Sequence, residues 1–182
     1  VPSAHAAMTR TVIVTAADLD NTSSIAAVVQ TDGLNKWFMY NDNTDTIDNT
    51  LGSFVVGPGT PPHGIGSVQF TLGASTPDRR NIATYQFSGT SLISITEMSF
   101  SAYSHSIVAL PPNESPFLNF NVDFTGTGGQ FQGRLIYEPR ANGPVPQDTW
   151  NTFDVINGGN ALWTWSHYAG SWPNNTHAGE QY

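Results

Sequence analysis

The feature that most constrains this chain is a period of two. From Leu118 to Phe124, Leu, Phe, Val and Phe alternate with Asn119, Asn121 and Asp123 without a break. Such alternation suits only an extended strand, whose successive side chains point to opposite faces. A turn-forming stretch, Thr125-Gly126-Thr127-Gly128-Gly129, follows, and Phe131, Gly133, Leu135 and Tyr137 then alternate with Gln132, Arg134, Ile136 and Glu138. Two alternating runs joined by a glycine-rich turn predict an antiparallel hairpin. Weaker alternation recurs at Val12–Thr15, Trp37–Tyr40, Ser67–Leu72, Asn81–Phe87, Leu92–Tyr103 and around Trp163–Trp165.

Between these runs lie Gly57-Pro58-Gly59-Thr60-Pro61-Pro62, Pro77-Asp78, Pro111-Pro112-Asn113, Asn142-Gly143-Pro144 and Asn157-Gly158-Gly159. Gly and Pro in these positions end strands and break helices. Only 11% of the residues are charged, so the Glu and Lys that exposed helices rely on are scarce. The one helix candidate, Asp148–Asp154, also reads as a strand edge. These signals predict an all-β fold, an antiparallel two-sheet β-sandwich of jelly-roll type. Its 182 residues form one domain, with 1–10 and 173–182 as tails. A polar, strandless stretch follows Trp172. It reads either as a surface tail or as the place where a final strand is missing. A missing strand would leave an open edge suited to self-association.

The net charge of −8, with one lysine and five arginines, provides no basic stripe for phosphates, so nucleic acid is a poor partner. No apolar run approaches 18 residues, and membrane insertion is not expected. Cysteine is absent, which removes disulfides, thiolate chemistry and Cys-ligated zinc. Low lysine, abundant Asn, Thr and Ser, and sequons at Asn21, Asn113 and Asn174 suit an extracellular, secreted glycoprotein.

The polar side of the predicted hairpin supplies the first candidate site. Asn119, Asn121 and Asp123 on one strand face Gln132, Arg134 and Glu138 on the other. Planar amides, carboxylates and a guanidinium hydrogen-bond vicinal hydroxyls, as sugars require. The alternative is an ordinary solvated sheet face. Trp165 and Trp172, beside polar loops, are expected to stack on sugar rings, whereas Trp150 and Trp163 read as core.

A second candidate is the run Asp42-Asn43-Thr44-Asp45-Thr46-Ile47-Asp48. Asp42, Asp45 and Asp48 offer hard oxygens suited to a Ca2+ ion. The EF-hand glycine and distant glutamate are missing, and Asx turns are the competing explanation. No catalytic residue is assigned. A lyase-like set would draw on Gln132, Arg134, Tyr137 and His105, but Tyr137 alternates away from Arg134. A glycosidase pair would come from Glu97, Asp123 and Glu138.

Two stretches carry a resemblance. Asn41–Asn49 with Gly52–Pro62, and Thr149–Asp154 with Gly158–Trp163, resemble secreted, largely uncharacterised β-sandwich proteins of bacteria and fungi, related in shape to carbohydrate-binding modules. The resemblance covers about two thirds of the chain. It implies an extracellular jelly roll and supplies no catalytic residues. The sequence therefore points to a secreted, non-catalytic glycan-binding or cell-surface protein. The alternatives are a glycan-cleaving enzyme on the same sheet face and a structural protein of an extracellular coat or fibre.

Overall fold

The computed structural model describes residues 13–20, 36–44, 46–73, 78–105, 115–123 and 133–167, with Ser166 and His167 as backbone only. The described residues form ten strands: β1 (Trp37–Asn41), β2 (Thr46–Ile47), β3 (Gly52–Val56), β4 (Gly66–Phe70), β5 (Arg80–Thr84), β6 (Ser99–Tyr103), β7 (Leu118–Val122), β8 (Gly133–Tyr137), β9 (Trp150–Asp154) and β10 (Thr164–His167). Among the described residues, helix is limited to one α-turn at Pro139–Asn142 and 3-10 turns at Ala16–Asp18, Leu92–Ser94 and Asn157–Gly159. All strand pairs are antiparallel, and they make four small sheets, β2-β1-β5, β10-β8-β7, β3-β4 and β6-β9. The protein is all-β. Among the described residues no helix is long and apolar enough to cross a membrane.

Contacts gather the chain into two compact units. The first holds residues 1–56 and 66–88, and so β1 to β5. Its centre is β1, where Phe38 and Met39 are buried. Phe38 packs on Tyr85, with ring centroids 5.8 Å apart. The β2 pairing ends at Tyr40↔Ile47, one residue short of Met39. The Asn49 side chain replaces the missing ladder there. Its Oδ1 accepts from Met39 N at 2.8 Å, and its Nδ2 donates to the Asp20 carbonyl. In the β3–β4 hairpin, Gly52 lies opposite Phe70. A Cβ on Gly52 would come within 2.7 Å of the Phe70 ring, so only glycine lets the ring lie over the strand.

The second unit holds residues 57–65 and 89–182. Its sheet β10-β8-β7 contains the expected hairpin, with register Leu118↔Tyr137 through Val122↔Gly133. Val122 and Tyr137 are buried and Asn121 is exposed, as the alternation requires. Phe120 stacks on Trp163 at 5.5 Å, and Tyr137 meets the same ring edge-on. The second sheet pairs β6 with β9, from Ser99↔Asp154 to Tyr103↔Trp150. Phe100 and Phe153 lie directly opposite one another, and Phe100 meets Tyr137 edge-on at 6.1 Å. Val145 and Val155 complete this core, and full burial of such a side chain stabilises by about 1.5–3 kcal/mol.

Several local expectations are corrected. Asp148–Asp154, open between helix and strand edge, is strand from Trp150 onward. Ile13–Thr15 is not strand. Thr15 instead caps the 3-10 turn at Ala16–Asp18, accepting from Ala17 N while Asp18 accepts from Thr15 N. Leu92–Ser94 is also a 3-10 turn, and the strand begins only at Ser99.

Candidate functional site

The outer face of the β7–β8 hairpin is built by register. Asn121 lies opposite Arg134, and Asn119 lies opposite Ile136. Arg134 Nε donates to Asn121 Oδ1 at 3.2 Å, so amide and guanidinium form one cross-strand unit. Asn121 is exposed, while Arg134, Asn119 and Asp123 are half-buried. Among the described residues, Asn119 Oδ1 is buried without a hydrogen-bond partner, an acceptor whose desolvation is uncompensated. On β10, Thr164 lies opposite Ile136 and extends the same face.

At one end of this face stands Glu138. Its carboxylate accepts from Arg140 Nε at 3.1 Å, and the pair is partly exposed. Phe117, one residue before β7 and 54% exposed, alternates in step with Asn119 and Asn121. An exposed aromatic ring beside amides is the pairing that sugar recognition uses, and the sequence reading did not single it out. Asn142 fixes the end of the sheet. Its Nδ2 donates to the carbonyls of Glu138 and Leu162, and its Oδ1 accepts from Leu162 N at 2.7 Å. One amide thereby holds the exit of β8 against the entry to β10.

Trp165 departs from expectation. It pairs with Leu135, on the apolar side of β8, and is only 2% exposed. Its polar neighbours suggested a surface ring, but the alternation of β10 turns it inward. It is therefore core and leaves the stacking role. Trp163, expected in the core, is half-buried, with Nε1 donating to the Val155 carbonyl. Gln132 and Trp172 lie outside the described residues, as do Asn21, Asn113 and Asn174.

The acidic loop of the first unit is occupied by its own turn chemistry. Asp48 Oδ1 accepts from Thr50 N and Thr50 Oγ1, and these bonds lower its pKa. Asp42 pairs with Arg79 at 3.5 Å. Asp45 lies outside the described residues. Among the described residues no group of three or more His, Asp or Glu side chains could hold a metal.

Of the groups considered for bond cleavage, Tyr137 faces the core at 3% exposure, and Arg134 points to the opposite side of β8. Burial, with the nearby Asp154 charge adding to it, raises the Tyr137 pKa. A cavity of about 330 Å³ on the core side is lined by apolar side chains including Ile95, Met98, Phe120 and Leu135. It offers no array of hydroxyl-binding groups.

His105 and Trp150, each named from the sequence, belong to a grouping that the sequence did not show. The β6–β9 register, continued outward by two, brings His105 opposite Asp148, and Nδ1 and Oδ1 hydrogen-bond. Both side chains are about 60% exposed, at 61% and 60%. Next inward, Tyr103 meets Trp150 edge-on at 5.8 Å, and then Ser101 hydrogen-bonds Thr152 at 2.7 Å. No sequence spacing links residues some 45 positions apart, so only the strand pairing reveals them.

This chain matches no family model, no curated protein and no solved structure.

Proposed function

We propose that this is a secreted, non-catalytic protein that binds glycan on the outer face of β7 and β8. The observation that carries the reading is the Asn121–Arg134 pair, set on an accessible face whose opposite side is packed. A solvated sheet face more often carries Lys, Glu and Thr. Here two amides and a guanidinium lie on the two strands, Asp123 and Glu138 follow just beyond their ends, and Phe117 adds an exposed ring.

Arg134 and Asn121 would hold adjacent hydroxyls, and Phe117 would lie against the apolar face of a sugar ring. Asp123 and Glu138 would accept further hydroxyl bonds. An open face encloses little of its ligand, so affinity per site is about millimolar to micromolar. The two-sheet jelly-roll sandwich expected of the chain is part of the same reading. The Phe100–Tyr137 contact between the two sheets of the second unit supports it.

The test is a glycan array probed at high protein concentration with the wild-type chain and Asn121→Ala. Retained signal on defined glycans, lost in the variant, is the expected result. No signal on any glycan overturns the reading. Reducing-end and unsaturated-product assays on the bound glycans should register no cleavage, whereas product would convert the face to that of an enzyme.

A further inference from the structure

We infer that the outer face of β6 and β9 is a second saccharide site, selective for neutral sugars and independent of the β7–β8 face. Register sets the arrangement. Strand pairing stacks three cross-strand pairs on one side of the ribbon: Ser101/Thr152, Tyr103/Trp150 and, just beyond the strands, His105/Asp148. Phe100 and Phe153 occupy the other side and pack inward. The outward row thus offers hydroxyls, an aromatic pair and an imidazole–carboxylate pair, with no aliphatic side chain among them.

Two features hold these groups in place before any ligand arrives. Trp150 Nε1 donates to the Pro58 carbonyl at 2.8 Å, which fixes the indole against rotation. Asp148 has φ +59°, a left-handed conformation uncommon for a residue with a Cβ. Its N–H donates to the Ser104 carbonyl at 2.8 Å, and its carboxylate meets His105. Strained backbone of this kind persists where the surroundings over-determine it, and it concentrates at ligand sites. Groups already ordered lose less freedom on binding.

The chemistry selects the ligand. Asp148 and His105 hydrogen-bond hydroxyls, and the half-buried Trp150 and Tyr103 rings present apolar edges and faces to sugar C–H groups. Asp148 and Asp154 outnumber the single imidazole on this side, so uronates and sulfated sugars are repelled. The β7–β8 face, with Arg134, carries no such bias.

The test titrates neutral and uronate oligosaccharides into the wild type, Asp148→Gly, His105→Ala and Asn121→Ala. Binding is followed calorimetrically, and the His105 ring resonances are followed by NMR. Glycine at 148 keeps the left-handed backbone and removes only the carboxylate, so this variant melts no lower than wild type. The expected result is a neutral sugar that shifts the His105 resonances and binds about tenfold more weakly to both ribbon variants, a loss of about 1.4 kcal/mol. Asn121→Ala, which removes a β7–β8 contact, should leave the affinity read from the His105 resonances unchanged. Unchanged neutral-sugar affinity in Asp148→Gly and His105→Ala overturns the inference, and so does an unmoved His105 resonance. Loss confined to Asn121→Ala would leave the β7–β8 reading alone standing. Should one ribbon variant fail to fold, the other decides.

Discussion

Side-chain amides do much of the structural work in this chain. Asn49 completes the β1 ladder where β2 has stopped, and Asn142 closes the gap between β8 and β10. Met39 is fully buried, so its N–H has no recourse to water once Asn49 is gone. Asn49→Ala should therefore cost about 1–3 kcal/mol, read as a lower denaturant midpoint at unchanged m-value. Asn49→Asp keeps the acceptor for Met39 N but loses the donor to Asp20, and should fall between. A midpoint equal to wild type in Asn49→Ala would show that water or another group takes over. None of this was legible in the sequence. Asparagine is abundant here, and nothing in its spacing separates a bridging amide from a solvated one.

The hairpin of β7 and β8 was the most legible element, because alternation alone decides which side chains face in. The same rule, applied to β10, places Trp165 beside Leu135, yet its place beside polar loops argued for the surface. Periodicity is a better guide to direction than local polarity. The β9 segment was ambiguous because Trp150 and Phe153 are three apart, a spacing that a helix also uses. Its strand character comes from pairing with β6, about fifty residues earlier, which no local pattern records. The β3–β4 hairpin makes a prediction at this scale. Gly52→Ala sets a methyl 2.7 Å from the Phe70 ring. Displacing that ring should destabilise the first unit by about 1–3 kcal/mol. Gly52→Ala paired with Phe70→Leu should recover part of the loss. A thermal melt of the single variant matching wild type would mean that the ring moves aside freely.

For the whole molecule, the low charge count concentrates electrostatics in a few places. Asp18, Asp48 and Asp78 all lie in the first unit, and each has a lowered pKa. The causes are local. Thr15 N–H and hydroxyl bonds hold Asp18, and Thr50 hydroxyl and N–H bonds hold Asp48. Asp78 is held chiefly by its hydrogen bonds from Arg80, with Gly73 N–H adding to them. A carboxylate lowered below its unfolded value of 3.8 adds stability that is fully present above that pH. The contribution is lost as pH falls through the lower, folded value. The first unit should therefore lose stability below about pH 4, and Asp78→Asn should flatten that dependence. Melting that is flat down to pH 2 would contradict the assignment.

The division into all-β structure was legible from turns and alternation, while the grouping of ten short strands into four sheets was not. The claim that matters most is that the outer face of β7 and β8 meets glycan through Asn121 and Arg134. The most direct measurement is an NMR titration that watches the Asn121 side-chain amide and the Arg134 Nε–H while a binding oligosaccharide is added. Both resonances should shift together and saturate with one affinity. If the sugar binds while these two stay fixed, the face is ordinary solvated sheet and the account is wrong.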